Sequence, residues 1–526
     1  MRVELDVKVP IDSTFSEELR KLGIETTFEI VRKSLDARKK PYYLYRIVID
    51  LPEDTAKKLI EEGKVRKHKE IEELLVPAVL TKKSVLIVGT GPAGLFSALI
   101  LAEAGFDVTV IDRGKPIQER VKDVKLFWEK RKLDKNSNVQ FGEGGAGTFS
   151  DGKLTTRVKD KKKHFVYKIF VECGAPSEIL YENKPHVGTD KLQEVIPNLR
   201  RKLEELGVVF RFSTKLEKLK VRNRKVEEVY LRDLRTGIES IEKFDYIFLA
   251  IGNSARDTFE MLKKEDIVLK AKPFAVGLRV IHRQRTIDRM QYGRFFKHPN
   301  LPPADYSLTY KGRERNVFSF CMCPGGYVIC ASSEENSVVC NGMSNYKRDS
   351  GYANSAIVVQ VFPKDFENDP FRAMEFQRAL ERAAFVMGGS NYAMPAQKVW
   401  DFIEGQSSNK LIEGGYIPEI KSARLDKLLP KPIVDHIREA FIYWSKRIPF
   451  FVPGNATFVG VETRTSSPLR IVRREDYSSI SADNLFPIGE GAGYAGGITS
   501  SAIDGINGAL SLIRRLNEGR EPVSYL

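Results

Sequence analysis

The chain has 526 residues, 42% hydrophobic and 29% charged, which excludes a disordered or fibrous protein and leaves room for two or three structural units. Its formal net charge of +15 raises an anionic partner such as nucleic acid. Residues 1–80 hold as many acidic as basic side chains, however, so there is no basic arm, and nucleic acid is a secondary reading. The excess gathers at Lys159, Lys161, Lys162 and Lys163, where a solvated face is the ordinary explanation, and between Arg279 and Arg315. Five cysteines, an odd number, argue against a disulfide framework. The opening residues alternate charge with apolar side chains rather than forming a signal sequence. The most apolar stretch, 85–106, is broken by Gly89, Gly91, Gly94 and Glu103, so no membrane span is expected and the cytoplasm is the expected location.

In chain order, the two-residue alternation of Val3, Leu5, Val7 and Val9 predicts a half-buried strand. Ser16–Leu22 and Asp54–Glu62 read as helices and Tyr42–Asp50 as a strand, giving a small N-terminal α+β module over 1–80. Val85–Val88 is a continuous apolar run of the kind covered on both faces in a parallel sheet. A glycine turn, a helix over Ala93–Ala104 and a strand over Asp107–Asp112 then open a βαβ unit. Asp190–Leu206 reads as a helix and Val208–Phe212 as a strand. A meander follows over Leu216–Val221 and Val226–Asp233, then a buried strand over Phe244–Ala250. Residues 271–454, with scattered aromatics and prolines, read as an inserted, mostly β substrate or cap domain. Asn484–Glu490 and Ser500–Leu516 return to strand, turn and helix. The fold class is α/β: a Rossmann-like domain from 82–270 and 455–526, a β-rich (α+β) insertion, and the N-terminal module.

Gly89-Thr90-Gly91-Pro92-Ala93-Gly94 follows a strand and opens a helix, the setting that makes such a turn a dinucleotide fingerprint. Gly89 permits the tight turn, Gly91 admits a pyrophosphate close to the backbone, and Gly94 lets helix and strand pack. The helix N-terminus favours the phosphate charge, and Asp112 stands where an acid accepts hydrogen bonds from the adenosine ribose. This much serves NAD and FAD equally.

The stretch 85–114, with Asp112-Arg113-Gly114, resembles the opening of the two-dinucleotide-binding-domain flavoproteins. Leu485-Phe486-Pro487-Ile488-Gly489-Glu490-Gly491-Ala492-Gly493 resembles their second flavin motif, with Glu490 in place of the usual Asp that holds the ribityl chain. Tyr246–Gly252 is similar to their strand ending in Ala-Thr-Gly, with Ile251 for Thr. More narrowly, the chain resembles the uncharacterised prokaryotic FAD-dependent (FAD-utilizing) dehydrogenase family. That likeness is carried by Asn138–Leu154, Cys321-Met322-Cys323-Pro324-Gly325-Gly326, Asn341–Ser344, Thr463–Pro468 and Lys33–Arg38. The resemblance implies FAD as cofactor, bound by Gly89, Gly91, Pro92, Ala93, Gly94, Asp112, Arg113, Gly144, Gly145, Gly152, Leu154, Ala250, Gly252, Gly489, Glu490, Gly493, Gly497 and Ile498. The implied activity is transfer of a hydride or electrons between FAD and a small organic substrate.

The glycine-dense turn 489–497 precedes a helix whose N-terminus would stabilise negative charge on a reduced flavin. The loop 142–152 reads either as a linker or as a segment lying along the cofactor. Cys321 and Cys323, on one face of a strand, read either as packed apolar side chains or as a redox dithiol, and form no metal site. Arg464, in its Thr/Ser-rich setting, is the candidate for orienting a substrate carboxylate, with Cys323 as the second catalytic candidate. Arg279, His282, Arg283, Arg285 and Arg289 would meet an anionic substrate or nicotinamide phosphates, or else form salt bridges. No second fingerprint for NADPH is visible, so reductant would come from transient NAD(P)H or an electron-donor protein. Competing functions are a C=C reductase of prenyl-type substrates and an RNA-modifying flavoprotein.

Overall fold

A computed structural model describes residues 1–518 apart from 25, 71, 81, 157 and 450. Its centre is a five-stranded parallel sheet. The order is Leu485–Pro487, Tyr246–Leu249, Ser84–Val88, Asp107–Ile111, Val209–Arg211. Both faces are covered: Val85 and Ile87 enter one apolar core, Leu86 and Val88 another, which explains a strand with no polar alternation. The order reverses between Ser84–Val88 and Tyr246–Leu249, and that reversal opens a crevice at the carboxyl ends of the strands.

On one face the fingerprint helix Pro92–Glu103 packs along the carboxy-terminal helix Ile498–Asn517. Their approach is set by a glycine, since a Cβ on Gly505 would lie 2.2 Å from the Ala93 carbonyl oxygen. The meander is present as an antiparallel sheet of Thr214–Arg222, Lys225–Asp233 and Glu239–Glu242.

A seven-stranded sheet forms the second layer, with Phe274–Arg283 at its middle between Tyr352–Val361 and Thr457–Glu462. One feature departs from expectation. Thr457–Glu462, placed by sequence with the FAD-binding segment, pairs in this sheet with Phe274–Arg283 and Met394–Lys398. Helices Pro370–Met387 and Lys431–Arg447 also cover it, in keeping with an α+β insertion.

The N-terminal strands take the order Phe28–Asp36, Tyr42–Asp50, Arg2–Pro10, Arg66–Lys67, with helices Phe15–Lys21 and Glu53–Glu61. The strand Phe28–Asp36 escaped the sequence reading because a register shift between Ile30 and Arg32 breaks its alternation. Its outer edge docks on the central unit, where Lys33 N donates to Tyr181 O at 2.8 Å and Asn183 N donates to Lys33 O at 2.9 Å. Among the described residues no helix is long and apolar enough to cross a membrane.

Replacing Gly505 with Ala should separate the two helices and cost about 2 kcal/mol of stability by overpacking. A urea denaturation midpoint equal to that of the wild type would contradict this account of the helix contact.

Candidate active site

A cavity of about 390 Å³ occupies the crevice at the strand-order reversal. Gly89 bends the chain at its edge with φ +109°, and a Cβ there would sit 2.4 Å from the Ala250 carbonyl oxygen. A Cβ on Gly94 would fall 1.9 Å from Gly89 O, so the helix can meet the strand only with glycine at that place. Gly91, Pro92 and Ala93 line the cavity at a helix N-terminus with no side-chain cap, leaving its amide groups for a ligand.

Asp112 shapes this turn directly. Its Oδ2 accepts from Thr90 N at 2.9 Å and Thr90 Oγ1 at 2.6 Å, and its Oδ1 accepts from Gly114 N at 2.8 Å. Arg113 reaches across the crevice to Asp257 at 2.9 Å and lies over the Phe141 ring.

The loop 138–154 is a framed wall, not a linker. The fully buried Arg120 donates to the carbonyl oxygens of Asn138, Val139, Gly142 and Glu143. Burial pushes the Arg120 guanidinium down to about 10, against the pull of Asp112 and Glu143. Glu143, also buried, accepts from Ile117 N at 2.7 Å and Arg200 Nε at 2.8 Å. Gly144 N donates to Thr90 O at 3.0 Å, and Gly145 lies so close to Gly91 that its Cβ would stand 3.1 Å from the Gly91 Cα. Arg120 and Glu143 were not singled out from sequence; an acid set inside a glycine-rich run, at Glu143, was the available signal.

The second turn closes the opposite side. Gly489 N donates to Asp504 Oδ2 at 2.7 Å, Asp504 is held by Arg473, and a Cβ on Gly489 would strike that of Ala93. Gly497, Ile498 and Glu490 line the cavity, and the helix starting at Ile498 also lacks a side-chain cap. Burial pushes the Glu490 carboxyl up to about 7, opposed by the Lys272 ammonium. Asn253 Nδ2 donates to Glu490 Oε1 at 2.8 Å.

The third wall comes from the seven-stranded sheet and its neighbours: Phe320, Cys321, Val339, Cys340, Asn341 and Glu462. Arg279 is buried behind it, donating to Glu462 Oε2 at 2.7 Å, Asn354 Oδ1 at 2.7 Å and Cys321 O at 3.3 Å.

Of the residues read from sequence, Gly89, Gly91, Pro92, Ala93, Asp112, Arg113, Gly145, Ala250, Gly252, Gly489, Glu490, Gly497, Ile498 and Arg464 line the cavity. Gly94, Gly144, Gly152, Leu154 and Gly493 stand behind it. Leu154 is fully buried and its carbonyl accepts from Tyr167 and Thr499, so it braces the carboxy-terminal helix. Gly493 is needed where a Cβ would meet Leu469 O at 2.6 Å, and Gly152 where one would meet Gly188 N at 2.7 Å.

Both catalytic candidates change. Cys323 is fully buried and away from the cavity; Cys321 lines it instead. The two do not share one strand face, because Cys321 takes φ +45° and the register shifts between Phe320 and Cys323. The Cys323 thiol beside it and the charges of Lys153 and Arg279 hold the Cys321 thiol well below its ordinary value. Arg464 touches the cavity, yet its guanidinium is committed: Nε and Nη2 donate to Glu381 at 3.0 and 2.7 Å and Nη1 to Ser333 Oγ at 2.6 Å. Arg256 grips the same Glu381 carboxylate at 2.8 Å, so the group ties the two layers together. Arg279 and His282 are buried, the imidazole against Phe451 O at 2.8 Å, and neither belongs to an accessible anion site.

Residues 273–465 match the family model described as the C-terminal domain of FAD-dependent proteins, and residues 82–122 match an FAD binding domain. An uncharacterised protein of Clostridium beijerinckii is 42% identical over 499 residues, 93% of this chain and 92% of that protein. The chain belongs to this uncharacterised family of FAD-dependent flavoproteins. Solved structures that the chain matches include a flavocytochrome c3 fumarate reductase in an open conformation, 12% identical with a TM-score of 0.35 over 89% of this chain and 81% of that one. A flavoprotein/dehydrogenase from Cytophaga hutchinsonii is 13% identical with a TM-score of 0.36 over 84% and 80%. FAD is the family's cofactor, and the cavity fits it: two uncapped helix N-termini converge where Cβ atoms at Gly89 and Gly489 would collide.

The Glu490 carboxyl has a consequence for the flavoprotein without its cofactor. Its folded pKa of about 7 lies above the ordinary 4.5, so the native state binds this proton more tightly and stability falls as pH rises between those values. Glu490→Gln should flatten that fall, measured by urea denaturation of apoprotein at several pH values; identical profiles would contradict the placement of this carboxyl.

Proposed function

We propose that this flavoprotein is an oxidoreductase that exchanges a hydride or electrons between FAD and a small organic substrate admitted against the third wall. Bound FAD would supply the hydride acceptor or donor. The observation that carries the reading is the single cavity on which three elements converge: the fingerprint turn, the second glycine turn and the Cys321–Asn341–Glu462 wall.

In this reading Gly91, Pro92 and Ala93 take the diphosphate at the helix N-terminus. Asp112 offers its remaining acceptor capacity to the ribose while holding the turn, and Arg113 lies beside the adenosine half. Glu490 and Asn253 receive the ribityl hydroxyls, and the amide groups near Gly497 and Ile498 face the flavin pyrimidine edge. Arg464, Glu381 and Arg256 are positioning residues that fix the cap to this site. Where the loop 138–154 meets the third wall the cavity lining includes Asp151, Lys153, Asn341 and Glu462, polar and charged groups that speak against a long prenyl-type chain.

Anaerobic mixing of the FAD-loaded protein with NADH, NADPH and a panel of metabolites should bleach the visible flavin band with at least one of them. A band that dithionite reduces but no nicotinamide nucleotide or metabolite touches would contradict the enzymatic reading.

A further inference from the structure

The five cysteines divide by where their sulfurs stand. Cys173, Cys323, Cys330 and Cys340 are buried, whereas Cys321 is partly exposed and lines the cavity. Cys330 and Cys340 are ordinary packed thiols: burial pushes both up, and they meet Ser332 Oγ at 3.3 Å and Val459 O at 3.6 Å. Cys321 stands at the second-turn end of the cavity, close enough for its charge to act on the Glu490 carboxyl.

In a regular strand a Cys-X-Cys pair cannot cross-link, because residues two apart lie about 6.6 Å from one another on one face, well beyond the Cβ separation of about 3.8 Å that a disulfide needs. Here the strand is not regular. Cys321 takes the left-handed φ of +45°, and the register shifts between Phe320 and Cys323. With the backbone bent there, Cys323 Sγ donates to the Cys321 carbonyl oxygen at 3.3 Å, and the two thiols are near enough to share a hydrogen bond. That bond to Cys323, together with the Lys153 and Arg279 charges and against burial, lowers Cys321, while the same neighbour and burial raise Cys323. One proton therefore serves two sulfurs, with a thiolate on the cavity and a thiol behind it.

Resting on the oxidoreductase reading and its FAD, we propose that Cys321 and Cys323 are a redox-active dithiol that exchanges two electrons with FAD, a second electron store beside the flavin. In the oxidising direction an S–S bond forms between the two sulfurs and the Cys323 S–H bond breaks. The pair loses two electrons, and FAD takes both, together with the Cys323 proton, to become the anionic reduced flavin. Thiolate, thiol and oxidised flavin thus become disulfide and reduced flavin, and atoms and charge balance with no further reactant. Cys321 faces the cofactor, and Cys323 closes the bridge from behind the wall.

Anaerobic illumination of the FAD-loaded protein with EDTA tests this, because the light-driven reaction puts electrons on the flavin. Samples are denatured in iodoacetamide before and after illumination, and their peptides are weighed. Air-equilibrated protein should carry Cys321 and Cys323 unalkylated in a peptide two hydrogens light. Illumination continued past bleaching of the flavin band should raise alkylation of both at least about fivefold, with no change in a dark sample. Cys323→Ser should leave Cys321 open to alkylation from the start; should that variant lose its flavin band, the wild-type peptides carry the test alone. The proposal is overturned if both thiols are alkylated in air-equilibrated protein, if the pair stays bridged once the flavin is bleached, or if the bridge opens equally in the dark. A bridge between Cys330 and Cys340, which face each other across two strands, in place of Cys321–Cys323 would overturn it as well. A wild-type protein without a flavin band would instead contradict the FAD reading itself.

Discussion

The close approach of two helices at Ala93 governs the geometry of everything else in the site. Gly505 gives the carboxy-terminal helix access to the Ala93 carbonyl, and Gly489 lets the second turn rest on the Ala93 side chain. Each contact allows backbone where a side chain would otherwise stand, and together they place two uncapped helix N-termini, from opposite ends of the chain, around one crevice. In the proposed arrangement the positive end of one helix would act on the diphosphate and that of the other on the flavin pyrimidine edge. With a methyl group at either glycine, those ends would be driven apart before any cofactor contact was lost.

The polar interior serves that arrangement rather than competing with it. Arg120 converts a glycine-rich run into a fixed wall by gathering four carbonyl oxygens, and Glu143 secures the run at its middle. Asp112 and Asp504 do the same for the two glycine turns through backbone amides. Buried charges in all four places are hydrogen bonded, which makes them positioning devices in place of reactive groups.

Much of the architecture was legible in the sequence because local signals agreed. The apolar run 85–88, the glycine spacing and the helix that follows all fall where the crevice needs them, and Gly489 and Glu490 line the same cavity. Other features were hidden for identifiable reasons. Thr457–Glu462 joins its sheet through partners far away in sequence, so adjacency to the second flavin motif misled. Cys321 escapes the two-residue alternation through a positive φ that the residue type does not announce. Arg464 looked available because Glu381, which occupies it, arrives from a distant helix. Charged side chains declare their chemistry in sequence, but their partners are set by tertiary packing.

The central claim is that the crevice between the two glycine turns holds FAD. Titration of the apoprotein with FAD, followed by the visible flavin spectrum and by the amount retained after gel filtration, tests it most directly. The account predicts saturation at one FAD per chain, and loss of retention in a Gly94→Val variant whose side chain would collide with Gly89. A protein that stays colourless after exposure to FAD, or a Gly94→Val variant that retains the cofactor as fully as wild type, would contradict it.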